Sequence, residues 1–204
     1  MNIRKHQPSG MVYWGSYFII KLFSKIFFPF TTEGRKHIPS QGSYIFASNH
    51  LSYLDPLIIG LSVWRRISYM AKKSLFTNPL LGWFLRQVGT FPIRRGEPDI
   101  AALREALRRL KNGSPLLLFP QGTRLETGGV KAQPGVGFLV AKSQVPIIPV
   151  FIQGSDHVLP PGARWFKRHP IRVRFGPPVF IPPGQSYEQI ADQVMGAIGA
   201  LSSC

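Results

Sequence analysis

The sequence predicts an α/β fold: a single layered domain with a mostly parallel or mixed central sheet flanked by helices, preceded by an N-terminal amphipathic helix. Two observations predict it. Short apolar runs of strand length alternate along the chain with segments whose apolar residues recur at helical spacing. The chain has 204 residues, 44% of them hydrophobic, which suffices for one domain with a sizeable core and excludes general disorder.

The N-terminal helix is predicted from residues 11–30, the most apolar and aromatic part of the chain. Lys21 and Lys25 are one helical turn apart and share a face with Tyr17. A membrane-spanning helix needs about 20 mostly apolar residues, but Lys21 interrupts the run and Pro29 discourages its continuation. We therefore expect a helix that lies in the membrane interface. A buried core helix and a membrane-spanning helix are the alternatives.

Strands are predicted from six apolar runs, at residues 44–47, 67–71, 90–93, 115–119, 145–152 and 172–175. The run at residues 115–119 is continuously apolar, which is typical of a buried parallel strand. The run at residues 145–152 contains Pro146 and Pro149, and these favour an edge strand or the beginning of a strand.

Further helices are predicted at residues 99–111, 136–143 and 187–201. In the first of them, apolar residues recur at helical spacing and three arginines face away from that stripe, at positions Arg104, Arg108 and Arg109. Residues 159–170, rich in proline and basic residues, are predicted to form a loop.

The charge balance indicates an anionic partner. There are 25 Lys and Arg residues against 9 Asp and Glu residues, a formal net charge of +16. On a folded domain this excess predicts binding to nucleic acid, to an anionic membrane surface or to phosphorylated small substrates. The one cysteine, Cys204, has no partner for a disulfide within these residues and forms no cysteine-based metal cluster, which fits a reducing compartment.

The segment NHLSYLD places His50 and Asp55 directly after the first predicted strand of the domain, where α/β proteins position their sites. Across such a turn the carboxylate can hold one ring nitrogen of His50, which leaves the other nitrogen to act as a general base. Asp55 as a helix N-cap is the alternative. Ser52 lies between them, but no G-x-S-x-G turn surrounds it as a nucleophile would require.

Two more polar segments follow predicted strands. GTFPIRRG contains Arg94 and Arg95, whose guanidinium groups suit phosphate recognition, although a solvated surface pair is the commoner role. FPQGTR follows the buried strand and offers an amide, a hydroxyl and an arginine for a phosphate and a hydroxyl, in Gln121, Gly122, Thr123 and Arg124. Together with His50 these segments are expected to converge on one edge of the sheet.

In this order, NHLSYLD, GTFPIRRG, FPQGTR and VPIIPV resemble the four sequence blocks of the glycerolipid acyltransferase family typified by lysophosphatidic acid acyltransferases. The resemblance runs from about residue 49 to residue 150. It implies that His50 is the general base and Asp55 its orienting partner, and that Arg95 contacts a substrate phosphate. It also implies that Gly122 and Arg124 line the acceptor site, and that the fourth block either faces the acyl chain or is a core strand.

The third block departs from the family pattern F-P-E-G-T-R, because Gln121 replaces the acid. A glutamine keeps an oxygen that can accept a hydrogen bond from a substrate hydroxyl, but it carries no charge. The identity of the acceptor therefore stays open between lysophosphatidate, glycerol 3-phosphate and another lysolipid.

The resemblance implies transfer of a fatty acyl group from acyl-CoA or acyl-carrier protein to the free hydroxyl of 1-acyl-glycerol 3-phosphate, which gives phosphatidate, without a cofactor or metal. It places the enzyme on a membrane surface with anionic lipids, as a peripheral or monotopic protein of the cytoplasmic face. Residues 1–38 would be the membrane-associated segment and residues 39–204 the catalytic domain.

Two other classes of function remain as alternatives. A hydrolase would use water in place of the acceptor. A basic binding module without catalysis would use its charge on a membrane or on nucleic acid, but the chain has no helix-turn-helix, RNP-type pattern or basic residues interleaved with aromatics. Nucleic acid is therefore not expected as a partner.

Overall fold

The computed structural model describes residues 10–94, 99–122, 132–159 and 165–202. Its centre is one sheet of seven strands, which are β1 (Phe30–Glu33), β2 (Ile45–Ser48), β3 (Ser68–Lys72), β4 (Thr90–Ile93), β5 (Leu116–Leu118), β6 (Ile147–Gln153) and β7 (Ile171–Phe175). Their order is β1-β7-β6-β2-β5-β3-β4. The five strands from β6 to β4 are parallel, whereas β7 is antiparallel to β6 and β1 is parallel to β7. The predicted mixed sheet is confirmed.

The helices flank this sheet. They are α1 (Gly10–Phe27), α2 (Asp55–Ser62), α3 (Pro79–Gln87), α4 (Ile100–Lys111), α5 (Pro134–Ser143), α6 (Ser155–Val158) and α7 (Tyr187–Gly199). Side-chain caps mark the beginnings of α4 and α7. Asp99 caps α4 by accepting from the N–H of Ala102, and Ser186 with Gln189 forms a capping box at α7. The predicted helices and strands appear with their ends shifted by a few residues, and β1, α2, α3 and α6 are additional.

Two hydrophobic layers cover the sheet. On one face, α2 buries Ile58 and Ile59 against strand residues that include Phe46. On the other face, α4, α5 and α7 pack against strand residues that include Ile45 and Ala47. Neighbouring residues of β2 thus enter opposite layers, because side chains alternate along a strand. This explains why the central strands read as continuous apolar runs.

The expectation of an edge position for the strand with two prolines is wrong, because β6 lies between β7 and β2. Pro146 precedes the strand. Around Pro149, the antiparallel pairing of β6 changes register by one residue. Ile147 pairs with Val179 on one side of the change, and Val150 pairs with Phe175 on the other. Such a bulge is a place where an interior strand tolerates a proline, since the ladder bond is already interrupted there.

Arg109 also differs from its predicted place on a solvated face. Its guanidinium donates to the carbonyl of Gly89 at 2.6 Å and to Ser68 Oγ at 3.2 Å, and it lies over the Phe91 ring at 4.6 Å. An arginine stem can cover apolar surface while its charged end stays paired, and here Glu105 supplies that partner at 2.7 Å. Arg109 therefore ties α4 to the sheet.

Helix α1 turns its polar and tyrosine side toward the protein. Tyr13 and Tyr17 are buried, and their hydroxyls donate to the carbonyls of Arg65 and Leu61. Lys21 Nζ lies 3.3 Å from Tyr17 Oη. The opposite side exposes large apolar residues, at Met11, Phe18, Ile19, Leu22 and Ile26. A buried core helix does not fit this arrangement, and none of the helices in the described ranges is long and apolar enough to cross a membrane.

Candidate active site

The carboxyl ends of β2, β5, β3 and β4 meet at one edge of the sheet, because these strands are parallel. This is the edge at which open α/β sheets bind ligands. His50 follows β2, Gln121 follows β5, and Arg94 follows β4. The structure thus brings the described parts of the three predicted polar segments to a common edge.

Asn49 fixes the loop that leaves β2. Its Oδ1 accepts from the N–H of Ile152 at 2.8 Å, and its Nδ2 donates to the carbonyl of the same residue at 2.8 Å. The side-chain amide therefore replaces a peptide group and extends the pairing of β2 with β6. Because both partners are buried, these bonds hold the position of the next residue, His50, relative to β6.

His50 and Asp55 form a buried pair. The distance from His50 Nδ1 to Asp55 Oδ2 is 2.8 Å, and Asp55 is fully buried. The same carboxylate oxygen accepts from the backbone N–H groups of Leu51 at 2.6 Å and Ser52 at 2.8 Å. Three donors thus compensate the desolvation of this carboxylate. An ionised carboxylate only accepts, so Nδ1 carries the hydrogen and the lone pair is on Nε2.

The Phe119 ring covers one face of the His50 imidazole. The two ring centroids are 4.0 Å apart and the planes are inclined by 21°. His50 Nε2 has no hydrogen-bond partner within the described part of the chain. Asp55 and Phe119 therefore hold the ring in one orientation, with Nε2 on the side away from Asp55.

The geometry of Asp55 is not that of a helix N-cap, and the geometry of Ser52 is not that of a nucleophile. An N-cap side chain accepts from N–H groups further along its helix, whereas the Asp55 carboxylate accepts from residues that precede it. Ser52 is buried, and its Oγ accepts from the N–H of Leu54 at 3.3 Å. Ser52 stabilises the turn and is not placed as a nucleophile.

Gln121 and Gly122 form a turn beyond β5. The N–H of Gly122 donates to the carbonyl of Phe119 at 2.9 Å, and its φ of 69° lies in the left-handed region that favours glycine. Gln121 is only 4% exposed, and its Oε1 is buried without a partner among the residues described. A buried carbonyl oxygen of this kind is a candidate acceptor for a ligand hydroxyl.

Cations surround this edge. Arg94 is exposed, and its backbone N–H donates to Asp99 Oδ2 at 2.9 Å; this bond, with the one from Ala102, lowers the pKa of Asp99. Exposed Lys72 and Lys73 lie at the end of β3. They follow a predicted strand but are not among the predicted site residues. The other predicted site residues, Arg95, Thr123 and Arg124, lie outside the described residues.

Within the described ranges, no three His, Cys, Asp or Glu side chains are grouped so that they could hold a metal ion. The groups that could hold a ligand here are the His50 imidazole, the Gln121 amide and the nearby cations.

Comparisons with known proteins agree with this architecture. The chain is 27% identical over 191 residues to the chloroplastic 1-acyl-sn-glycerol-3-phosphate acyltransferase BAT2 of Brassica napus, with 89% of this chain and 54% of the relative covered. It is 27% identical over 146 residues to the 1-acyl-sn-glycerol-3-phosphate acyltransferase of Bacillus subtilis, with 71% of each chain covered. The chain spans about half the length of the plant relatives.

A solved structure shares the fold. The crystal structure of the 1-acyl-sn-glycerophosphate (LPA) acyltransferase PlsC from Thermotoga maritima aligns with a TM-score of 0.80 and 26% identity, covering 100% of this chain and 83% of that chain. A protein-family model described as Acyltransferase matches residues 29–153. Since this match covers more than half of the chain and includes the His50 and Asp55 pair, the protein belongs to the acyltransferase family.

Proposed function

We propose that the protein transfers a fatty acyl group from acyl-CoA or acyl-carrier protein to the free hydroxyl of 1-acyl-glycerol 3-phosphate, which gives phosphatidate. The observation that carries the proposal is the buried contact of 2.8 Å between His50 Nδ1 and Asp55 Oδ2 at the ligand-binding edge of the sheet. The activity named for the curated relatives supports the choice of acceptor.

The first step is removal of a proton from the acceptor hydroxyl. His50 Nε2 takes this proton while the hydroxyl oxygen attacks the carbonyl carbon of the thioester. Asp55 stabilises the imidazolium that forms and holds the ring in the required tautomer. No covalent enzyme intermediate is needed, because the acceptor oxygen itself forms the new ester bond.

The second step is expulsion of the thiol. The tetrahedral intermediate collapses, the carbon–sulfur bond breaks, and the leaving thiolate takes the proton from the His50 imidazolium. The products are the ester and a free thiol on CoA or carrier protein, and His50 is neutral again. Each turnover is therefore balanced in protons and needs no other reactant.

The acceptor phosphate is held by cations so that the hydroxyl meets His50. We assign this role to Arg95 and Arg124, with Gly122 and Thr123 lining the same site and the Gln121 oxygen accepting from a hydroxyl. The exposed Lys72 and Lys73 at the end of β3 add positive charge to this edge. Fixing the acceptor in a reactive geometry can contribute about 7–11 kcal/mol in ideal cases.

The membrane surface is the place of reaction in this proposal. Its support is the orientation of α1, which turns its tyrosines inward and exposes apolar side chains such as Ile19 at 71% and Leu22 at 65%. An exposed apolar face on a helix with adjacent lysines fits the interface of an anionic bilayer. We infer a peripheral or monotopic protein at the cytoplasmic face.

Gln121 leaves a second class of acceptor open. Since a neutral amide replaces the acid that is usual in this block, glycerol 3-phosphate or another lysolipid is the alternative acceptor for the same chemistry. Hydrolysis of the donor is the remaining alternative.

The decisive experiment is a panel of acceptors with labelled acyl-CoA and acyl-carrier protein, run on detergent-solubilised protein. We expect labelled phosphatidate from lysophosphatidate and none with His50→Ala, which should keep its vesicle binding and remain folded at the assay temperature. Release of free fatty acid without any acceptor would identify a hydrolase instead. Undiminished turnover by His50→Ala would overturn the mechanism.

A further inference from the structure

The connection between β6 and β7 carries an exposed aromatic and basic segment, residues 165–168, which we call the 165–168 segment. It consists of Trp165, Phe166, Lys167 and Arg168. Trp165 is 83% exposed and Phe166 is 41% exposed, and both cations are exposed. A large aromatic side chain left almost entirely in water next to two cations needs an explanation that the reaction above does not supply.

The segment is fixed to the body of the protein. The N–H of Lys167 donates to the carbonyl of Val158 at 2.8 Å. The Phe166 ring contacts three phenylalanines at the end of α1, with centroid distances of 5.9 Å to Phe23, 6.4 Å to Phe27 and 6.0 Å to Phe28. Phe166 thus joins the 165–168 segment to the exposed apolar side of α1.

The topology puts this segment at the same edge of the sheet as His50. Strand β7 is antiparallel to β6, so their connection leaves from the carboxyl end of β6. The Asn49 side chain is bonded to Ile152 near that same end. The beginning of β7 is in turn held beside the end of α1 by the bond from the N–H of Ile171 to the carbonyl of Pro29 at 3.1 Å.

We propose that the 165–168 segment is a second membrane contact, which inserts Trp165 into an anionic phospholipid bilayer and sets Lys167 and Arg168 against the lipid phosphates. The proposal rests on the membrane association of α1 in the proposed function. Tryptophan favours the boundary between lipid and water, and lysine and arginine near an anionic surface are attracted to it.

A lipid surface explains the segment better than a protein partner does. The exposed aromatic surface continues from Trp165 through Phe166 to Phe23 and Phe27, each 39% exposed, and on to the exposed side of α1. An apolar surface that extends this far suits contact with a bilayer, which is planar and apolar. The formal net charge of +16 complements anionic headgroups.

The consequence is a defined orientation of the sheet on the membrane. A single helix in the interface leaves the protein free to tilt about the helix axis. A second contact beyond the end of α1 removes that freedom and turns the His50 edge toward the lipid, so that a lysolipid acceptor can reach Nε2 without leaving the bilayer.

The first test measures how deeply position 165 enters the bilayer. In a Cys204→Ser background, Trp165→Cys is labelled with an environment-sensitive fluorophore, and Phe180→Cys is labelled in the same way as a control. Phe180 is 72% exposed between residues that pack on the opposite layer. With mixed vesicles of phosphatidylcholine and phosphatidylglycerol, we expect a blue shift and quenching by acyl-chain nitroxides at position 165 only. A label at position 165 that stays in water on bound vesicles would overturn the proposal.

Vesicle partitioning is the second test. Trp165→Ala should lower the partition coefficient about tenfold, from the apolar area that it no longer buries. Lys167→Ala with Arg168→Ala should lower it by about 25-fold on anionic vesicles, or about fivefold for each cation, and not on pure phosphatidylcholine. The matched controls are Phe180→Ala and the pair Arg104→Ala with Lys111→Ala on α4. Losses equal to those of the controls would contradict the proposal.

The two proposals fail separately. Both vesicle tests need no turnover, so an inserted position 165 in a protein without acyl transfer would refute only the proposed function. Acyl transfer with position 165 in water would refute only the second membrane contact. If carrier protein, in the absence of vesicles, shifts the label at position 165 and the charge variants lose that shift, the segment is a protein docking site and the lipid proposal is wrong.

Discussion

Asp55→Asn separates the charge of the buried carboxylate from its shape. In the native protein Asp55 Oδ2 accepts from His50 Nδ1 and from two backbone N–H groups, while Oδ1 has no partner among the described residues. An asparagine can keep its carbonyl oxygen at the Oδ2 position and place its amide where Oδ1 was. The tautomer of His50 is then preserved and the charge that stabilises the imidazolium is lost. The variant should also melt at a lower temperature, because the amide is buried where no acceptor lies among the described residues.

The expected loss of kcat follows from the distance between the two charged groups. Two unit charges at the 2.8 Å that separates Nδ1 and Oδ2 attract by about 6 kcal/mol at an effective dielectric constant near 20. This is an upper value, because both charges are delocalised. A reduction of kcat by about 10³ to 10⁴ is therefore expected, since about 1.4 kcal/mol corresponds to a factor of ten.

A second carboxylate and imidazole pair provides the matched control. Asp156 Oδ2 lies 3.1 Å from His157 Nδ1, but these side chains are 42% and 63% exposed. Because solvent screens such a pair, Asp156→Asn should leave kcat unchanged. The assay is acyl transfer at saturating donor and acceptor in mixed micelles, with thermal melting to verify the fold. If Asp55→Asn is folded at the assay temperature and keeps kcat within about threefold, a change below 1 kcal/mol, the role of the charge is refuted.

The remaining predictions concern positions around the site and the pH dependence of stability. Asn49→Ala leaves the N–H and carbonyl of Ile152 buried and unpaired, so we expect a loss of about 2–4 kcal/mol in the free energy of unfolding, measured with urea. Gly122→Ala should lower the melting temperature, because φ is 69° and the new Cβ would lie 2.9 Å from Gln133 Cγ; native melting with full activity would contradict this. For Glu105, burial opposes ionisation, but hydrogen bonds from its two arginine partners prevail and lower its pKa from the ordinary 4.5. A folded pKa below the unfolded one gives stability that is present above pH 4.5 and is lost as the pH falls through the folded value. Glu105→Gln should therefore flatten the acid side of the stability curve, and an unchanged slope would remove Glu105 as its cause.

Parts of the fold that depend on local pattern were predictable from the sequence. The helix at α4 has a regular apolar stripe, and the run at β5 is continuously apolar. By contrast, α2 is apolar on most sides because most of its residues are buried, so it shows no helical periodicity. Strand β1 has the mixed sequence FTTE and is defined by its pairing with β7, which no local pattern reveals.

In the candidate site, too, local features could be predicted from the sequence and contacts between distant strands could not. The proximity of His50 and Asp55 follows from a short turn, so their pairing could be expected from five positions of sequence. Phe119 and Asn49 could not be expected, because each acts through a contact between distant strands. The partner of Asn49 is 103 positions away, and only the neighbouring places of β2 and β6 in the sheet bring the two together.

The bond between Asn49 and Ile152 also has a consequence for how the protein folds. His50 is held in place only after β6 has docked beside β2, and strand pairing over such a separation in sequence is slow and comes late compared with local turns. During synthesis the chain must be completed through residue 152 before His50 can be positioned. Acyl-transfer competence should therefore appear together with closure of the central sheet.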